Sequence, residues 1–170
     1  MTFFKRRFGK SLPGFAIQAC VLAWTFTSAL PAYSGELVRI PVRESQTQAI
    51  FIDQPSGTPP WVVVVFAGDD GAVALDETGP TSMKGNFVIR TARYWTSVGD
   101  AVAIVDTPSD QSSGMNDAFR LSDAHVQDLS AVVAVLRQRF PAAKIALVGT
   151  SRGTISVGNA LRQQPRLADA

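Results

Sequence analysis

The run Lys144-Ile145-Ala146-Leu147-Val148-Gly149-Thr150-Ser151-Arg152-Gly153-Thr154 decides how this chain folds. Ile145 to Val148 is an apolar strand, and Thr154 to Arg162 is a helix-capable segment that follows almost at once. Between them, Gly149-Thr150-Ser151-Arg152-Gly153 fits the spacing G-x-S-x-G. A serine at so sharp a turn is held in a strained backbone conformation, with its hydroxyl projecting above the sheet. Glycine is needed at both ends because strand and helix pass too close for a side chain. The helix N-terminus beside the serine stabilises negative charge developing nearby. Five residues alone also fit an ordinary strand–turn–helix with a convenient glycine. The strand running in and the helix running out make Ser151 the candidate nucleophile.

Outward from this turn, strands and helices alternate. Glu36 to Arg43 and Gln48 to Asp53 read as two strands, and Pro55 through Pro60 as a turn-rich break. Trp61-Val62-Val63-Val64-Val65-Phe66 is the clearest strand, its unbroken apolar run predicting burial on both faces. Asn86 to Val98 can form a helix, and Ala101 to Val105 is another apolar strand. Ala118 to Phe140 reads as a long helix stopped by Pro141, with Leu121, Leu129, Val132, Val133, Leu136 and Phe140 on one face. The order β-β-β-α-β-α-β-α predicts an α/β fold with a mainly parallel sheet.

Composition narrows the chemistry. The 170 residues, 46% hydrophobic and 18% charged, suit one domain with a substantial core. One cysteine and one histidine exclude an internal disulfide framework and any Cys/His zinc site. No metal or cofactor is expected. A phosphate-binding loop is excluded too, because no G-x-x-x-x-G-K-[ST] occurs and Gly68–Gly71 is not G-x-G-x-x-G. The formal charge of +2 originates in Lys5, Arg6, Arg7 and Lys10; beyond residue 34, twelve basic residues face fourteen acidic ones, a net of −2. Those basic residues are scattered, so a nucleic-acid partner is not expected.

Residues 1–34 read as an address. A short basic start, a mostly apolar run from Phe15 to Leu30 and the small residues of Ala32-Tyr33-Ser34 make the three-part pattern of a secretory signal, with cleavage before Gly35. The apolar run is short for a bilayer core and interrupted by Gln18, so a membrane would be met only through an uncleaved signal segment. Arg6-Arg7-Phe8 hints at a twin-arginine signal, and Ile17-Gln18-Ala19-Cys20 faintly at lipid attachment. The expected location is periplasmic or secreted, with residues 35–170 as the mature domain.

A nucleophilic serine needs an oxyanion hole. The backbone N–H of Arg152 is one candidate donor, and the loop after the Trp61–Phe66 strand supplies the other. That loop is Ala67-Gly68-Asp69-Asp70-Gly71, where Gly68 and Asp69 are the candidates and a plain glycine turn is the alternative. Asp69-Asp70 after a buried strand also fits a flavodoxin-like signalling domain, which leaves Gly149–Gly153 and the export segment unexplained.

With these residues in place the chain resembles the α/β-hydrolase superfamily, and more narrowly its exported bacterial members of undefined substrate. The resemblance is carried by Val62–Gly68, Asn86–Arg90, Val105–Asp110, Phe119-Arg120, His125 and Gly149–Thr154, and it covers about Trp61 to Leu161. It implies a serine hydrolase acting on esters or related acyl bonds of small molecules, with serine, acid and histidine in that chain order. Here the pattern departs from the family: no histidine follows Ser151, and Asp169 comes too early for a later strand. The fold is therefore expected to stop after the nucleophile strand and helix. His125 precedes the serine on an apolar face between Leu121 and Leu129 and reads as a packed core residue or one bonded to nearby backbone, with a substitute catalytic histidine as the lesser alternative against the family order. Asp106 and Asp110, after a strand's C-terminal end, read as pocket-lining or as turn caps. Lys144–Val148 would then be an exposed apolar edge open to aggregation, and the alternative to an enzyme is an inactive remnant or a binding protein.

Overall fold

Val62 to Phe66 is buried along its whole length in a computed structural model that describes residues 35–170. The candidate export signal, 1–34, lies outside the described residues. Five strands, β1 (Glu36–Pro41), β2 (Thr47–Asp53), β3 (Trp61–Phe66), β6 (Ala101–Pro108) and β7 (Lys144–Gly149), form one sheet in the order β1-β2-β6-β3-β7. The two-residue strands β4 (Leu75–Asp76) and β5 (Gly79–Pro80) pair separately. β6, β3 and β7 run parallel, whereas β1 and β2 form an antiparallel hairpin whose inner strand pairs antiparallel with β6. The sheet is thus mixed, with a parallel centre.

Alternation along β3 sorts its side chains between two cores. Val62, Val64 and Phe66 pack with Leu129, Val132, Val133 and Leu136 of α4 (Asp123–Arg139) and Ala160 of α5 (Gly153–Gln163). Val63 and Val65 face the other way, onto Val88 and Ile89 of α1 (Phe87–Arg90) and Ala92 of α2 (Ala92–Ser97). Helices cover both faces, as the apolar β3 run requires.

Three expectations are corrected. The helix expected over Asn86–Val98 is α1 and α2, broken at Thr91, whose hydroxyl donates to Phe87 O at 2.7 Å. The helix expected over Ala118–Phe140 is α3 (Asp117–Arg120) and α4, because Ser122 leaves the helical conformation to cap α4. Its Oγ accepts from His125 N at 3.2 Å and donates to Phe119 O at 2.7 Å. Leu121 falls in that break and is 55% exposed rather than on the apolar face. The third concerns β7, which is an edge strand among the described residues, but one whose free side is partly satisfied. Leu147 N donates to Ala170 O at 2.9 Å, Asp169 N to Ile145 O at 2.8 Å, and Ile145 N to the Asp169 carboxylate at 2.8 Å. Asp169 thus places a charge on this edge, one of the devices that discourage further pairing.

One buried ion pair ties the β1–β2 turn to the helical layer. Arg43 donates to both oxygens of Asp128, at 2.7 and 2.9 Å, and to Asp110 at 3.0 Å, with its guanidinium over the Phe119 ring. Asp128 is fully buried, and burial raises its pKa despite the Arg43 bonds. Removing the cation strands that carboxylate. Arg43→Met should cost about 3–5 kcal/mol of stability in urea unfolding; an unchanged midpoint would show that the pair contributes nothing.

Candidate active site

The turn after β7 is shaped by contact. Phe66 of β3 pairs with Gly149 of β7, and one residue further Thr150 N donates to Phe66 O at 3.3 Å. α5 starts immediately above. A Cβ on Gly149 would stand 2.6 Å from the carbonyl carbon of Gly153, and one on Gly153 would stand 2.8 Å from the carbonyl oxygen of Ala67. Neither site holds a side chain unless α5 lifts off the sheet. The turn closes through Gly153 N to Thr150 O (2.8 Å) and Thr154 N to Ser151 O (3.0 Å), with the Thr154 hydroxyl on the same Ser151 oxygen at 2.6 Å.

Ser151 takes the strain. Its φ is +50°, a left-handed conformation that costs a non-glycine residue about 1–2 kcal/mol. The side chain is exposed at the C-terminal ends of the parallel strands, the edge at which α/β sheets place ligands. The Arg152 side chain is drawn aside, its Nε donating to Asp117 at 2.7 Å on α3. That bond holds the Asp117 carboxyl below its usual range and raises Arg152. The pair is solvent-exposed, so it orients more than it stabilises.

The loop after β3 lies against the serine. A Cβ on Gly68 would stand 2.9 Å from the Ser151 Cβ and 3.0 Å from Thr150 O. Three successive carbonyls of this loop are pinned: Gly68 O by Gly71 N at 3.0 Å, Asp69 O by Arg120 Nη2 at 3.2 Å, and Asp70 O by Met115 N at 2.8 Å. Because the peptide group is planar and trans, a fixed carbonyl fixes the following N–H in the opposite direction. Among the described residues the N–H groups of Gly68, Asp69, Asp70 and Arg152 have no hydrogen-bond partner. The structure therefore brings Gly68 and its loop to Ser151, with Asp69 also left-handed at φ +49°.

Asn86 was not singled out from the sequence as a site residue. Its Oδ1 caps α1 by accepting from Val88 N at 3.2 Å, and its Nδ2 stands 3.5 Å from where a Gly68 Cβ would be. An amide N–H₂ thus joins the cluster around Ser151. Its signals were a place in the Asn86–Arg90 stretch of the resemblance and a position at a helix start, and neither names Gly68 as its neighbour.

The other candidates lie elsewhere. Asp106 lines a cavity of about 360 Å³ with Ala72, Thr81, Thr107 and Ser112, but its carboxylate holds the N–H groups of Val73 (2.9 Å), Ala74 (3.3 Å), Leu75 (2.8 Å) and Thr107 (2.9 Å). Asp110 binds Arg43. Asp169 sits at the start of β7, at the opposite end of the strand from Ser151. His125 is 1% exposed, its ring 5.4 Å from that of Phe119, and neither ring nitrogen has a partner among the described residues. Core packing is thus met, and bonding to nearby backbone is not. Among the described residues no imidazole or carboxylate is hydrogen-bonded to the Ser151 hydroxyl.

A serine at a strand–helix elbow, facing a glycine loop at the C-terminal end of the parallel centre of a mixed sheet with helices on both faces, is the architecture of the α/β-hydrolase fold. Solved structures agree. The chain is similar to an α/β serine hydrolase without a lid from Xanthomonas campestris (18% identity, TM-score 0.57, 77% of this chain and 57% of that one). It is also similar to an α/β serine hydrolase homologue from Coxiella burnetii (19%, 0.53, 81% and 61%). A third is a dienelactone hydrolase from Anabaena variabilis (15%, 0.58, 80% and 60%). This chain spans about three fifths of each. No family model and no curated protein matches it.

Burial, with Arg120 and Arg43 nearby, lowers the pKa of His125 from the ordinary 6.5 to about 4. Between those values the unfolded chain binds a proton that the folded chain refuses, so stability falls as pH falls. The loss from pH 6.5 to 4 should be of the order of 3 kcal/mol. His125→Gln should flatten this part of the pH profile in urea unfolding; an unaltered profile would contradict a buried neutral imidazole.

Proposed function

We propose that the protein is a serine hydrolase acting on esters or related acyl bonds of small molecules, with Ser151 as nucleophile. The observation that carries this reading is the left-handed φ of Ser151, an exposed serine strained at the strand–helix turn. Ser151 Oγ attacks the acyl carbon, and the carbonyl oxygen takes up negative charge. The N–H of Arg152 at the start of α5 and an N–H of Gly68 or Asp69 receive that charge. The leaving group departs with a proton, and water then cleaves the acyl-serine. The scheme needs a general base, and no residue of 35–170 is assigned to that role. The structural similarity, at 15–19% identity, supports the fold alone, and the substrate class rests on the turn and the fold together. Export to the periplasm or beyond rests on the sequence of residues 1–34.

A second reading rests on the Ser151 hydroxyl having no imidazole partner among the described residues: a protein that binds an acyl compound without cleaving it. A fluorophosphonate probe separates the two. Ser151 Oγ would form a bond to phosphorus and expel fluoride, the hydroxyl proton passing to base or solvent. Protein from the native periplasm should carry the label on the peptide holding Ser151, begin at Gly35, and lose the label in Ser151→Ala. A stable, folded protein that takes up no label would sink the hydrolase reading and favour the binding one.

A further inference from the structure

Among the described residues Arg120 is the largest fully buried side chain, at 0% exposure, and it donates no hydrogen bond to a carboxylate. A guanidinium out of water without a counter-charge is costly unless its donors are used. Here Nη1 donates to the Ser156 hydroxyl of α5 at 2.8 Å and Nη2 to the Asp69 carbonyl at 3.2 Å, while Nε has no partner among the described residues. The Arg120 carbonyl accepts from Asn159 Nδ2 at 3.1 Å, a second bond to α5. Nη2 also fills the space beside Gly71, where a Cβ would come within 2.6 Å of it.

One side chain therefore joins the two elements that must stay in register: the loop carrying candidate oxyanion donors and the helix that begins after Ser151. We infer that Arg120 is a positioning residue for the loop after β3, holding the Asp69 carbonyl and with it the Asp69–Asp70 peptide group of the loop that carries the candidate oxyanion donors Gly68 and Asp69. The inference rests on the hydrolase reading for its catalytic consequence, but the anchoring itself does not. Nearby Asp69, Asp70 and Asp117 supply long-range attraction, while Arg152 opposes it, so the guanidinium is held by shape and hydrogen bonds. Arg120 touches no substrate atom, and its effect passes through the Asp69–Asp70 peptide group.

Two readouts on the full chain test this, with Arg120→Met, Arg120→Lys and Ser156→Ala. Amide exchange of the peptide covering 68–74 should quicken by about tenfold in R120M while β3, β7 and α5 peptides keep wild-type rates. The maximal rate of phosphonylation by the fluorophosphonate should fall by about tenfold to a hundredfold, with the half-saturating probe concentration within about twofold. R120K, which keeps a donor and the charge, should recover part of both. Wild-type loop exchange and labelling in folded R120M would overturn the inference, as would exchange that rises equally over the whole sheet. If R120M does not fold, S156A decides: faster loop exchange supports the anchor, and unchanged exchange overturns it. An unlabelled wild-type protein would sink the hydrolase reading, and the exchange measurement would still decide on Arg120.

Discussion

The closeness of α5 to the ends of β3 and β7 is the constraint from which the candidate site follows. Gly149 and Gly153 leave no room between strand and helix, so the chain reverses within three residues. Reversal that tight places Ser151 at φ +50° and turns its side chain outward. The helix N-terminus comes with it, bringing the unpartnered Arg152 N–H. Strain, exposure and a favourable local field are three results of one packing contact.

Around that contact the protein buries charged side chains, Arg120 and Asp128 among them. Arg43 with Asp128 fixes the β1–β2 turn to α4, and Arg120 fixes the loop after β3 to α5. His125 lies within the influence of both cations, which with burial keeps it neutral. These groups are poor sources of net stability, since their desolvation opposes their bonds. What they provide is register: Asp128 receives the turn through Arg43, and Arg120 holds the Asp69 carbonyl in the loop beside Ser151.

The parts of this fold that were legible in the sequence are those that depend on neighbours in the chain. The apolar runs of β3, β6 and β7 fixed the buried centre, and the glycine spacing around Ser151 fixed the elbow. The helix breaks were not legible, because Thr91 and Ser122 bond their own backbone in competition with helix hydrogen bonds, and apolar periodicity does not register that. Asn86 and Arg120 were missed as site residues for a different reason. Both lie in stretches that carry the family resemblance, but their neighbours at Gly68 and Asp69 come from elements that only the tertiary fold brings together. The partial cover of β7 by Asp169 and Ala170 is likewise a long-range pairing.

The most direct test of the account is the stability of Ser151→Gly against Ser151→Ala, read by urea or thermal unfolding. Both remove the hydroxyl, but only glycine adopts a positive φ without a Cβ clash. If packing forces the strain, the glycine variant should be the more stable by about 1 kcal/mol, despite the greater freedom glycine gives the unfolded chain. An alanine variant more stable than the glycine one would contradict it, and Ser151 would then sit in a relaxed turn with no strained elbow.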